Sequence, residues 1–312
     1  MIDAVVLGEI IFDITVGNFT CEMHRNKVTR MGRPADFSGG GDAQNAATTM
    51  GNLGMMVYLA GRIGDDEAGR MCMSLTESAG VNCSRVLRVR GASTSTSVNL
   101  VNPEGEASHV HFPGENPRYA TEDVPFDLFP LAKYVSLHSL LALPGLDAKA
   151  IFSKARESGA RTYADTTPLA GNESIDMIAD ILPFLDVFAP SYSEAVILLK
   201  MKDPREMAKE LLARGVGLAV IKTGADGCVL GDKDGIDTVP AYKTEVVNTT
   251  GAGDNFSAGF LCGLCGGYSK ISCAKLGNAA GAITVSSFAS TGAVKSFAQI
   301  ENYIASRGDR LE

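Results

Sequence analysis

Short apolar runs, each closed by a turn signal and followed by a segment with helical periodicity, recur along this chain and limit what it can fold into. Residues 4–7 form such a run ending at Gly8, suited to a central strand buried on both faces. From Asp42 to Leu53 the apolar positions Ala43, Ala46, Ala47, Met50 and Leu53 follow a helical repeat. A strand at 57–60 and a helix at 66–79 ending at Gly80 continue the alternation. Further on, strands are expected at 134–138, 161–164, 186–189 and 218–222, with helices at 147–158, 192–199 and 204–214. Beyond Val247 the chain reads as helical, over about 253–265, 270–286 and 296–306. Strand–helix alternation is the pattern of a parallel sheet covered by helices, so the class is α/β.

Two stretches break the alternation. Residues about 12–37 and 84–113 carry Thr, Val, Ser and Asn in short alternating runs, interrupted by Arg90-Gly91 and Asn102-Pro103-Glu104-Gly105. They predict antiparallel hairpin strands with one wet face. So few strands cannot build a core, which leaves them as a flap on one domain spanning 1–312. No internal repeat or interdomain linker is visible.

Charge and cysteines exclude several classes. The 28 Lys+Arg against 36 Asp+Glu give a net −8, and the absence of basic runs argues against sequence-independent nucleic-acid binding. The seven cysteines are odd in number and without framework spacing, so they read as reduced thiols. Cys262 and Cys265 lack matching ligands for zinc and read as small helix residues. The first residues lack a basic leader, and no apolar run reaches the ~20 residues that span a bilayer. A cytoplasmic protein without membrane partners is the expectation.

The segment Thr249-Thr250-Gly251-Ala252-Gly253-Asp254-Asn255-Phe256-Ser257-Ala258-Gly259-Phe260 carries the most chemistry. Small residues lead into a helix near Gly253, whose first amides lack intrahelical partners and lie at the positive end of the helix dipole. That arrangement suits an anion. A carboxylate there needs a separate task, and accepting a proton from an attacking hydroxyl is one. A glycine-rich turn capped by Asp254 explains the same residues without chemistry. Neither a Walker A loop nor a dinucleotide fingerprint is present.

This segment resembles the C-terminal signature of the ribokinase-like carbohydrate kinases, the PfkB family. A second segment, Ser38-Gly39-Gly40-Gly41-Asp42-Ala43-Gln44-Asn45-Ala46-Ala47, followed by Leu53-Gly54 and by Gly61 to Gly69, is similar to the family's N-terminal signature. The resemblance covers nearly the whole chain. It implies a three-layer domain with a mostly parallel central sheet, an inserted small β-sheet lid, and ATP-dependent transfer to a sugar. Asp254 would be the base, with the amides of Gly251, Ala252 and Gly253 as the anion hole. Asp13, Gly40, Gly41 and Asn45 would hold sugar hydroxyls. The segment Ala189-Pro190-Ser191-Tyr192-Ser193-Glu194-Ala195 resembles the family's Asn-x-x-Glu motif, which puts Glu194 near Mg²⁺, through water, with Ser191 in place of the usual Asn. Lys222-Thr223-Gly224-Ala225-Asp226-Gly227 resembles the loop lining the nucleotide, with Thr223, Gly224 and Gly227 toward it, and Asn278 matches a helix Asn beside adenine or ribose. Asn248 stands where an Asp commonly supports a monovalent cation, so K⁺ activation should be weak or absent.

The alignment places Asn99 and His111 at lid positions that touch the sugar, and His138 where ribokinases carry a sugar-binding Glu. Solvent-facing lid histidines and a satisfied strand-end His138 are the plain alternatives. A pocket lined by these groups suits a hexose, ketohexose or cyclitol. A nucleoside acceptor would want aromatic cover and stands as the alternative kinase reading. An acid sugar would want an arginine. In the family such an arginine follows the strand near 161–165; Ala164-Asp165-Thr166-Thr167-Pro168 supplies none there, and Arg118 is a weak substitute. A non-catalytic sugar sensor is the reading from another class. Lid strand edges suggest a homodimer that pairs them.

Overall fold

A computed structural model describes residues 1–17, 35–102, 107–167, 170–289 and 291–312. Its main sheet runs through β1 (Ile2–Leu7), β4 (Val57–Gly64), β5 (Asn82–Val89), β8 (Ala132–Leu137), β9 (Arg161–Ala164), β10 (Val187–Phe188), β11 (Leu218–Lys222), β12 (Cys228–Asp232) and β13 (Gly235–Val239). The spatial order is β13-β12-β11-β10-β9-β8-β1-β4-β5. Every pairing from β11 to β5 is parallel, and only the β11-β12-β13 edge is antiparallel.

The strands are apolar on both faces because both are covered. In β1, Val5 and Leu7 join one core cluster with Ile151 and Phe152 of α3 (Ala148–Glu157) and Met207 and Leu211 of α5 (Pro204–Ala213). Ala4 and Val6 point the other way, to a cluster with Ala46 and Met50 of α1 (Asp42–Asn52), Met73 of α2 (Glu67–Ser78) and Phe256 and Phe260 of α6 (Ala252–Cys265). α7 (Lys270–Val285) and α8 (Phe297–Ala305) build a third cluster against Leu53. α4 (Tyr192–Leu199) contributes Ala195 and Leu198 to the first.

The lid is a separate sheet of β3 (Asp36–Gly40), β2 (Ile11–Val16), β6 (Ser95–Val101) and β7 (Ala107–Phe112), in that order. Three expectations change here. Residues 82–89, expected in part within the lid, pair parallel to β4 and extend the main sheet. β2 and β6 run parallel, although the outer pairings are antiparallel as expected. The wet face is also reversed. Asp13, Thr15, Ser38, Ser97 and Asn99 are buried, whereas Phe37, Val110 and Phe112 are more than half exposed. The parts of the expected lid at 18–34 and 103–106 lie outside the described residues.

Ile10 joins β1 to the lid and is fully buried. The Asn116 side chain supplies the partners a strand would: its Oδ1 accepts from Ile10 N (3.2 Å) and its Nδ2 donates to Ile10 O (3.1 Å). Truncating this amide orphans two buried backbone groups. Asn116→Ala should therefore lower unfolding stability by about 2–3 kcal/mol in urea titrations, and a loss below half a kcal/mol would contradict the assignment.

Candidate active site

The two glycine-bearing segments meet where α1 packs on α6. Gly41 caps α1 and Gly251 caps α6, both with positive φ (82° and 75°). Asn45 and Thr49, one turn apart on α1, face successive residues of α6. Asn45 Nδ2 donates to Asp254 Oδ2 at 2.8 Å, and Thr49 bonds Asn255. Asn255 in turn donates to Gly251 O (2.7 Å), which fixes the cap of the helix carrying Asp254. Thr291 bonds both Asn45 and Gly39 O and closes the far side. Thr49, Asn255 and Thr291 were not anticipated, since a long-range pair leaves no periodic signal in one sequence.

Asp254 sits in the first turn of α6. Burial pushes its carboxyl up to about 6; the Asn45 bond opposes this, Asp165 adds to it, Lys222 opposes it, and Glu194 adds to it. α6 opens at Ala252, one residue before the expected start, and the Ala252 N–H reaches Thr249 O (3.3 Å). That amide must leave its turn partner to serve an anion.

On the lid side, the Asp13 carboxylate lies so close over Gly40 that a Cβ there would come within 2.2 Å of Oδ2. Glycine is required at this position by that approach. Burial drives the Asp13 carboxyl up to about 7, partly offset by Asn99 and reinforced by Asp254. Glu9 and Asp42 complete an acidic rim. Burial and the Asp254 charge raise both, and Ser139 Oγ donates to Asp42 (2.9 Å).

Two histidines lie on β7 and one follows β8. Register places Asn99 opposite His109, not His111, and His109 Nδ1 lies 2.7 Å from Asn99 Oδ1. His111 is exposed opposite Ser97. His138 is fully enclosed against Tyr163, with neither ring nitrogen partnered among the described residues, and burial lowers it to about 3, so it is neutral. Arg118 is exposed and tied to Glu115 (3.0 Å).

On the other side of Asp254, Ser191 and Glu194 form a capping box on α4. Glu194 Oε2 accepts from Ser191 N (2.8 Å) and from Thr166 Oγ1 (2.7 Å). Thr223 N donates to Gly227 O (2.8 Å), shaping a tight loop through Gly224. Asn278 Nδ2 holds the loop after β13 by Val239 O and Pro240 O (3.2 and 3.0 Å). Asn248 bonds Phe288 O through Nδ2 and accepts Thr250 N–H (3.0 Å), so its amide shapes the approach to the α6 cap. Among the described residues no three acidic, His or Cys side chains converge as a metal cage, and no helix is long and apolar enough to cross a membrane.

A nine-stranded sheet, a small lid and a helix N-terminus bearing an aspartate define a ribokinase-like sugar kinase. Residues 1–296 match the model of the pfkB family carbohydrate kinases, and the chain belongs to that family. As a member it is an ATP-dependent carbohydrate phosphotransferase. It is 31% identical over 232 residues to an uncharacterized sugar kinase of Archaeoglobus fulgidus, covering 73% of this chain and 91% of that one. It is 29% identical to a probable chloroplastic fructokinase of Arabidopsis thaliana, covering 79% and 69%. The structure of ribokinase from Thermotoga maritima superposes with a TM-score of 0.82 at 21% identity, covering 98% and 100%.

A raised carboxyl binds its proton more tightly in the folded state than in the unfolded chain. Its stabilising effect is therefore complete below about pH 4 and lost as pH rises to about 7. Asp13→Asn removes the charge that burial disfavours. Thermal melts should show the variant several degrees more stable than wild type at pH 8 and equal to it near pH 4. A difference independent of pH would contradict this.

Proposed function

We propose that the enzyme transfers the γ-phosphoryl group of ATP to a primary hydroxyl of a small neutral sugar or polyol, with Asp254 as base. The observation that carries this reading is the 2.8 Å bond from Asn45 to Asp254 Oδ2. It fixes one carboxylate oxygen, leaves the other to take a proton, and does so in the first turn of a helix whose opening amides suit an anion. The acceptor hydroxyl gives its proton to Asp254 as its oxygen bonds phosphorus. The P–O bond to the leaving ADP breaks, and its electron pair departs with ADP. The amides of Gly251, Ala252 and Gly253 hold the moving charge.

The acceptor lies between Asp13, Gly40, Gly41 and Asn45 and the inward face of the lid, where Asn99 is buried. His111 meets it only when the lid closes, and His138 serves as a neutral group at the pocket floor. The rim of Glu9, Asp13, Asp42 and Asp254 offers the acceptor carboxyl groups, which bond hydroxyls and give an acceptor carboxylate or phosphate no partner cation; this supports neutral polyols over acid sugars. ATP lies along the 223–227 loop, with Thr223, Gly224 and Gly227 shaping its bed and Ser191 and Asn278 steadying the flanking turns. Glu194, whose described bonds both use Oε2, would hold Mg²⁺ through water with its other oxygen, and the ion would neutralise phosphate charge. The exposed apolar side of the lid, Phe37, Val110 and Phe112, supports a homodimer formed through it.

A coupled ADP-release assay across sugars, polyols and nucleosides tests the reading and separates it from a nucleoside kinase. No ADP release with any acceptor would leave the non-catalytic sensor instead. Asp254→Asn should lower kcat by about 10³-fold or more while ATP still binds. The base works ionised, so kcat/KM should rise with pH to a plateau above about 6. Asn248 keeps a carbonyl but no charge, so wild type should respond weakly to K⁺ and Asn248→Asp strongly. Equal stimulation of both would refute this.

A further inference from the structure

Lys222, the last residue of β11, is a buried ammonium that the roles above leave unused. Its side chain is 10% exposed, and its Nζ lies 2.5 Å from Asp165 Oδ2. The same oxygen accepts from Ser257 Oγ on α6 (2.8 Å), while Asp165 Oδ1 accepts from Thr166 N (2.8 Å). Asp165 is thus fixed from three directions, and Lys222 is fixed through it. Burial works against the charge on Lys222, but Asp165 and Glu194 outweigh it, with Asp254 adding to them, so the ammonium holds its proton more firmly than a free lysine.

Two features say what this cation faces. A Cβ built on Gly253 would stand 3.4 Å from Nζ, so the ammonium lies against the opening turn of α6 with only glycine between. An ammonium has three protons, and among the described residues Nζ donates one, to Asp165. Buried donors left over beside a helix N-terminus lack an anion. Asp165, Glu194 and Asp254 crowd the same place with negative charge, so a phosphoryl group could not approach unless a fixed cation offset them.

We propose that Lys222 is a phosphate-contacting residue of this site: clamped by Asp165, its Nζ donates to the phosphoryl group held at the 251–253 amides. This rests on the kinase reading of the same site. Gly253 then has a second duty, since a side chain there would cover the face of the ammonium turned to the phosphate.

The test measures Lys222→Met and Lys222→Arg against wild type in turnover and in calorimetric binding of ADP and of the non-hydrolysable β,γ-imido analogue of ATP. Lys222→Met should lower kcat about 10²-fold with the acceptor KM unchanged. It should bind ADP as wild type does, yet lose the wild-type ratio of analogue to ADP affinity. Lys222→Arg should recover part of both. Because Lys222→Met strands a buried carboxylate, Lys222→Met/Asp165→Asn is measured beside it and should show the same altered nucleotide ratio. The proposal is overturned if that ratio is unchanged, or if ADP and the analogue weaken equally, which marks a structural role. Wild type that binds neither nucleotide would instead sink the kinase reading, and this inference with it.

Discussion

The contact between α1 and α6 is the constraint on which the site depends. Asp254 stands in the first turn of a helix, and in the proposed reaction it must stay oriented and ionisable while largely withdrawn from water. A lone carboxylate there would rotate or stay protonated. The Asn45 amide, itself held by Thr291, prevents the first and opposes the second. Thr49 and Asn255 repeat the arrangement one turn away and fix the Gly251 cap. Both glycine segments are needed because each contributes one half of this contact.

Much of the fold was legible because buried parallel strands and amphipathic helices leave strong periodic signals. The strands at 161–164 and 218–222 and the helix at 192–199 have the bounds the sequence suggested. The β12–β13 hairpin was missed, although Asp234-Gly235 between two short runs is a hairpin signal. Residues 82–89 were drawn toward the lid because their half-exposed alternation is that of any edge strand, flap or main sheet. In the site, the glycine segments and Asp254 were visible as motif. The bond between Asn99 and His109 was not, because it depends on β6–β7 register, which a single sequence leaves free. Lys222 and Asp165 were hidden for another reason: each closes an apolar strand, and only folding shows that the two ends adjoin.

Ser191 and Glu194 illustrate how one pattern can carry two explanations. Serine in place of asparagine makes a complete helix cap, and the glutamate is its second half. The two bonds to Oε2 leave Oε1 outside the cap, so a capping duty is compatible with the proposed one, and a complete cap accounts for serine in place of the family residue.

The lid is turned inside out relative to an ordinary sheet, with polar residues within and aromatic ones without. Among the described residues of its four strands, Phe12 alone enters the core cluster beneath, with Ile14 at its margin. The polar inward face of the lid therefore adds little to the apolar clusters of the body. Alternate positions on β2 and β6 make up that face, so exchanging them for others of similar size disturbs the apolar core little. A scaffold divided in this way can change its choice of acceptor over evolutionary time while the phosphate-handling half remains fixed.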